Sequence, residues 1–327
     1  MKASSLSLIA ATMALGAVAA TPQASAQDYP RKEVKMIVPF AAGGPTDSLG
    51  RSLAEAMSRS LGEKVIVENK PGAGGNVGSA QLAHAPGDGY TIMLVTNGPV
   101  VANALLFKDM AFDPKKDFAP VSLVTYLPNM VAVHPSVPAN SIKELIAVLK
   151  ANPGKYSYGS GGLGTSTHFA GELFKTMAGV DMEHVPYKGD GASMPDAVGG
   201  HIPIVFGSVF AAHRFTENGM LRGLAVTSSE RVPSVSDIPT VDEASDLKGF
   251  DLSAWYGIVA PASTPAQIVD LLSEVVQDIV ASPDFRKRIE GMGGIPRSSS
   301  PQEFAEFIDA ERPKWEGLIK ESGIRID

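Results

Sequence analysis

The chain has no cysteine among its 327 residues. That excludes disulfides, thiolate metal sites, a thiol nucleophile and lipid attachment through an N-terminal cysteine. Charged side chains are also few, 19% of residues, and the 35 acidic ones outnumber the 28 basic. With no extended basic run and no aromatic-basic interleaving, a nucleic-acid partner is not expected. The six histidines, at 84, 134, 168, 184, 201 and 213, show no short metal-ligand spacing, so neither metal nor cofactor is expected. Beyond the first 26 residues no apolar run is long enough to span a bilayer.

Those first residues have Lys2 at the start, the greasy "LSLIAATMALGAVAA" in the middle and the small residues Ala24, Ser25 and Ala26 before Gln27. They read as a secretory signal peptide cleaved after Ala26, with the periplasm as the expected compartment. The remaining 301 residues, 44% hydrophobic over the whole chain, suffice for two domains held together by burial alone.

Apolar strand-like runs alternate with helical spacing, which predicts an α/β fold with mainly parallel sheets. The first cycle runs through 34 to 38, a helix near 46 to 61, "VIV" at 65 to 67, a helix near 76 to 85 and "TIMLV" at 91 to 95. The second begins with "NMVAV" at 129 to 133 and a helix opened by Ser141 and Glu144, a capping-box spacing. After "SAWYGIVA" at 253 to 260 the tail turns helical. Two lobes are expected, one from residues 27 to 128 plus 250 to 327 and the other from 129 to 249.

One element occurs twice. "MIVPFAAGGPTD" and "YSYGSGGLGTSTH" each give a strand, a glycine-rich corner with small polar residues and a helix start. A helix start leaves backbone N–H groups unpaired and carries partial positive charge, so it receives an anion without a cationic side chain. Glycine lets a ligand approach the backbone. For either corner alone a plain tight turn is the simpler reading; two of matching design facing one cleft favour anion binding, with hydroxyls of Thr96, Thr165 and Ser166 completing the shell.

Several stretches, among them "PFAAGGPTDSLGRSLAEAMSRSLGEKVIVENKPGAGGNVGS", "YGSGGLGTSTHFAGELF", "VPYKGDGASMPDAVGGHI" and "WYGIVAPASTP", resemble the Bug family of extracytoplasmic solute receptors of tripartite tricarboxylate transporters. The resemblance spans essentially the whole mature chain in order. It implies a two-lobed periplasmic-binding-protein fold of the Venus-flytrap type II form that closes on a small carboxylate, and membrane transporter subunits as partners. Implied ligand contacts are Phe40, Ala41, Ala42, Gly43, Gly44 and Asp47 from one lobe, and Ser160, Gly161, Gly164, Thr165, Ser166 and His168 from the other. Thr96, Asn97, Tyr187 and Ser208 are further candidates. Family members often carry an aspartate or similar residue within the "VxFxS" stretch where this chain has Gly207, which argues against an amino-acid ligand if that position lines the cleft.

Asp47, in a first helical turn, has capping as its commonest role, because a carboxylate directly on a carboxylate ligand would repel it. His168 sits one turn into its helix, where ligand hydrogen bonding competes with simple burial. Two rival readings are carried. Gly159 to Gly164 satisfies G-x-G-x-x-G, with Asp181 and Glu183 near the spacing of a ribose contact, which would suit an exported dinucleotide-binding oxidoreductase. A receptor signalling to a membrane sensor would need the same cleft. No catalytic constellation is found: there is no G-x-S-x-G elbow, and Ser166 and His168 do not face each other on a helix. The protein is expected to be a monomeric, non-enzymatic shuttle.

Overall fold

The computed structural model describes residues 29–322; the expected export signal lies outside them. The first half runs β1 (Val34–Val38), α1 (Pro45–Leu61), β2 (Val65–Asn69), α2 (Asn76–Ala83), β3 (Thr91–Thr96) and a π-type turn, Gly98–Ala102, into α3 (Asn103–Leu106). β1, β2 and β3 are parallel, with β1 in the middle. β1 is buried at four of five positions, as a strand covered on both faces must be. α1 turns Leu49, Leu53, Ala56 and Met57 inward and stops at Gly62, whose φ of 74° only glycine adopts cheaply.

β4 (Phe118–Val133) then crosses the molecule. The sequence reading found only its last five residues, because Pro120 and Pro128 break the pattern of a central strand. The structure accommodates both. Pro120 sits where the register against the neighbouring strand slips, and Pro128 is the last residue paired there before β4 passes to new partners at Asn129.

The second half follows: α4 (Ile142–Ala151), β5 (Ser157–Ser160), α5 (Ser166–Ala178), β6 (Glu183–Pro186), α6 (Asp190–Val198), β7 (Ile204–Ser208), α7 (Val209–Glu217), β8 (Arg222–Val226) and α8 (Val241–Ala244). β5, β6 and β7 repeat the parallel triplet of the first half. Ser141 caps α4 by accepting from the Glu144 N–H, but Glu144 reaches back to the Asn140 N–H, so the cap is shifted by one residue. β9 (Ser253–Pro261) returns antiparallel between β3 and β4, followed by α9 (Ala266–Ala281), α10 (Pro283–Gly291), β10 (Ile295–Pro296) and α11 (Pro301–Ser322).

The strand order is β2-β1-β3-β9-β4-β7-β5-β6, with β8 and β10 also paired to β4. Each half thus has a parallel triplet joined to antiparallel crossing strands, a mixed α/β architecture. A core beginning at Ile37 and Met93 continues through Val131 to Phe169 and Phe206 in the second half. α11 belongs to it: Trp315 meets Phe169 edge-on at 4.8 Å, while Phe304 and Phe307 pack on Trp255. Glu311 accepts from the indole N–H groups of both Trp255 and Trp315, at 3.1 and 2.9 Å. The tail helix therefore touches both halves.

Candidate functional site

The C-terminal ends of the parallel strands in both halves converge on one cavity of about 730 Å³. Open α/β sheets place ligands at that end, because the helix starts that follow each strand point there. From the first half come Phe40 to Thr46 after β1, Pro71 to Gly75 after β2, and Thr96 to Gly98 after β3. From the second come Gly161 to Thr167 after β5, Tyr187 to Ala192 after β6, and Ser208 at the end of β7. The crossing strands supply the floor with Leu127, Asn129, Ala254 and Tyr256.

Most residues expected at the site line this one space: Phe40, Ala41, Ala42, Gly43, Gly44, Thr96, Asn97, Gly161, Gly164, Thr165, Ser166, Tyr187 and Ser208. Asp47, Ser160 and His168 do not. Asp47 is buried behind the first corner, where one carboxylate oxygen accepts from the Gly43 N–H and Arg51 Nε and the other from Asn69. Burial alone would raise its pKa, but these hydrogen bonds, Arg51 foremost, hold the carboxyl below its ordinary value. Ser160 faces His184 at 2.7 Å. His168 stacks on His184 with ring centroids 4.1 Å apart, and its Nδ1 accepts from the Gly164 N–H. These three shape the corners from behind.

The two corners, alike in sequence, differ in what they present. At the first, no side chain caps Gly44 and Pro45 occupies the first helical position, so the start of α1 opens towards the cavity. At the second, the chain spends its amides on itself. Gly161 N–H donates to Thr167, Gly162 N–H to Ser160, Gly164 N–H to His168, and Thr165 caps the His168 N–H. That corner is surfaced with hydroxyls instead, of which Thr165 Oγ1 donates to Gly162 O at 2.7 Å. Ser166 Oγ donates to Asn129 Oδ1 on β4, linking the second corner to the crossing strand. The expectation of two equal amide cradles is thereby corrected: one wall is an open helix terminus and the other a hydroxyl-lined surface.

Sequence reasoning missed the strap from Pro71 to Gly75, although its glycines were in plain sight. Gly72, Ala73, Gly74 and Gly75 all have positive φ, and Ala73 at 45° pays for a conformation alanine rarely adopts. Asn103 secures the strap by donating to Gly74 O at 3.1 Å. Tyr256 and Thr46, whose hydroxyls lie 3.5 Å apart, were also missed as wall residues, because Tyr256 reads as core packing in an apolar run. Tyr187 lines the cavity, but its hydroxyl is committed to Asp196 at 2.6 Å.

Two inferences from the sequence change. A Cβ at Gly207 would come within 2.3 Å of Met194 Cε, and Gly207 does not line the cavity. Its glycine answers to packing, and the objection to an amino-acid ligand falls. The dinucleotide reading loses its acidic group: Glu183 pairs with Ser157 at the start of β5, and Asp181 lies beside Gly154, both at the opposite end of the strands from the glycine corner. Among the described residues no helix is long and apolar enough to cross a membrane.

Comparison with known proteins agrees with this geometry. The family model described as "Tripartite tricarboxylate transporter family receptor" matches residues 49–324. Protein BugT of Bordetella pertussis is 32% identical over 303 residues, 92% of this chain and 93% of BugT. The structure of R. palustris Rpa4515 with adipate has a TM-score of 0.86 at 34% identity, covering 91% of this chain and 99% of that one. MatC (Rpa3494) from Rhodopseudomonas palustris, with bound malate, has a TM-score of 0.80 at 30% identity, covering 89% and 100%. This chain belongs to the tripartite tricarboxylate transporter receptor family, the Bug family of solute-binding receptors.

Proposed function

We propose that the protein is a periplasmic receptor that captures a small organic carboxylate between two lobes, closes around it and hands it to a membrane tripartite tricarboxylate transporter. The lobes comprise residues 27–128 with 250–327, and residues 129–249, hinged where β4 changes partners and where the chain enters β9. The observation that carries the reading is that an open helix terminus from one half and a hydroxyl-lined corner from the other share a single cavity. An organic anion suits both walls: the helix terminus favours negative charge, and the hydroxyls of Thr165 and Ser166, which donate to Gly162 O and Asn129 Oδ1 without a ligand, turn to the anion or to a bridging water. Asn97 adds a buried side-chain N–H that meets no acceptor within the protein. A carboxylate oxygen brought to it as the lobes close removes the cost of that unpaired donor. The adipate and malate held by the two relatives are ligands of this chemical class.

A panel of mono- and dicarboxylates, added to the mature protein starting at Gln27, tests this by thermal shift. A bound acid is expected to raise Tm progressively with concentration, by roughly 2.7 kcal/mol of added stability at a hundredfold excess over Kd. NAD is expected to leave Tm unchanged. A shift with NAD and none with any carboxylate contradicts the reading.

A further inference from the structure

We infer that Asp190 makes this a receptor for carboxylates that also carry a hydrogen-bond donor, a hydroxyl or an ammonium group, in preference to bare dicarboxylates. The inference rests on the carboxylate-receptor reading and specifies its ligand. Asp190 opens α6 and is, with Lys188, one of two charged side chains in the cavity wall. Lys188 is exposed at the rim, whereas Asp190 is set into the wall.

The structure fixes Asp190 from several sides. Its Oδ2 accepts from the Ser208 N–H at 3.0 Å, which ties α6 to the end of β7. Its Oδ1 lies against the second corner, so close that a Cβ on Gly161 would stand 2.3 Å away. The Gly189 N–H donates to Gly161 O, which zips the β6–α6 turn onto that corner. Across the floor, the Asp190 charge is near enough to Tyr256 to act on its phenol. Burial pushes the Asp190 carboxyl above its ordinary range, while hydrogen bonds from Ser208 and Thr167 oppose that shift.

A carboxylate held in this position has a definite preference. It repels a second bare carboxylate and accepts a hydrogen bond from an O–H or N–H placed beside the ligand's acid group. A ligand that brings a donor to this carboxylate gains a charge-assisted hydrogen bond, whereas a bare acid leaves it with only its bonds from Ser208 and Thr167. The glycine at 161 and the wedge of α6 against β7 hold the acceptor still, so the ligand must bring the donor to it.

Calorimetric titration with matched acids tests this: succinate, malate and aspartate, and glutarate, 2-hydroxyglutarate and glutamate. In the intact protein, the hydroxy or amino acid of at least one set is expected to bind about tenfold or more tighter than its bare counterpart, the difference a hydrogen bond to a charged group makes. Asp190→Asn is expected to shrink that ratio to within about threefold by weakening the substituted acid more than the bare one. Bare acids binding as tightly as their substituted counterparts in the intact protein overturn the inference and leave the carboxylate reading standing. So does an undiminished ratio in a folded Asp190→Asn or Asp190→Ser variant. If none of the six acids binds, the inference fails; the carboxylate reading fails with it only if no acid of the wider thermal-shift panel raises Tm either. The comparison in the intact protein needs no variant to fold.

Discussion

Gly161→Val is expected to weaken carboxylate binding on the order of a hundredfold in a protein that still folds, because displacing this wall removes hydrogen bonds to a charged ligand worth roughly 1.5–3 kcal/mol each. A Cβ at 161 meets Asp190 Oδ1 at 2.3 Å, with Asp190 N and Thr167 Oγ1 both at 3.3 Å. The side chain must push the start of α6 away from the second corner and strain the bond from Gly189 N–H to Gly161 O. The cost to folding is that of modest overpacking, about 1–3 kcal/mol, since the displaced turn lies at a cavity wall. Gly291, at the end of α10, has open space around it, and Gly291→Ala is expected to change neither binding nor fold appreciably. Titration of both variants, with circular dichroism as the check on folding, reads the result. Retained affinity in folded Gly161→Val removes the second corner from the site.

Acid is expected to destabilise the protein well above the range in which carboxylates titrate. Burial, then the neighbouring His184 and Lys175, lower the pKa of His168 from 6.5 to about 3, and burial lowers that of His184 to about 4. Both rings are therefore neutral in the folded chain while unfolded histidine takes up a proton below about pH 6.5. The unfolded state then binds more protons, so stability is complete above pH 6.5 and falls as pH drops towards 4 and 3. For His168, 3% exposed, the loss by pH 4.5 is on the order of 2 kcal/mol. Urea unfolding at pH 7 and pH 4.5 measures it. Replacing both histidines by glutamine is expected to flatten the dependence; an unchanged slope in that variant places the acid sensitivity elsewhere. Because His168 accepts from Gly164 N–H and His184 faces Ser160, the same protonation loosens the second corner, and ligand affinity falls with stability.

Much of this site was legible from spacing alone. The corner after β1 and the corner after β5 stood out because strand, glycines and helix start are consecutive in the chain. What spacing could not show was how each corner uses its amides: Gly161, Gly162 and Gly164 are satisfied by Thr167, Ser160 and His168, contacts that depend on how the chain folds back on itself. The floor residue Tyr256 reaches the cavity only through the crossing of β4 and β9, and the strap at Pro71 to Gly75 only through the pairing of β2 with β1 and the bond from Asn103. Pro120 and Pro128 hid that crossing, since the bulge and change of partner that excuse them are tertiary features. Asp190 was passed over for the same reason. One residue after a glycine in a polar stretch, it gains meaning when Ser208 and Gly161 close around it.

The absence of cysteine makes one further measurement clean. Val77 and Met220, 51% and 49% exposed, lie in the two halves outside the cavity wall. Converted to cysteine and spin-labelled, they are the only thiols in the chain, and pulsed electron resonance reads the distance between them. A saturating carboxylate that raises Tm is expected to shift that distribution and narrow it, as the halves close on a ligand held by both. The same distribution with and without the bound acid would mean that the two corners do not grip one ligand between moving lobes.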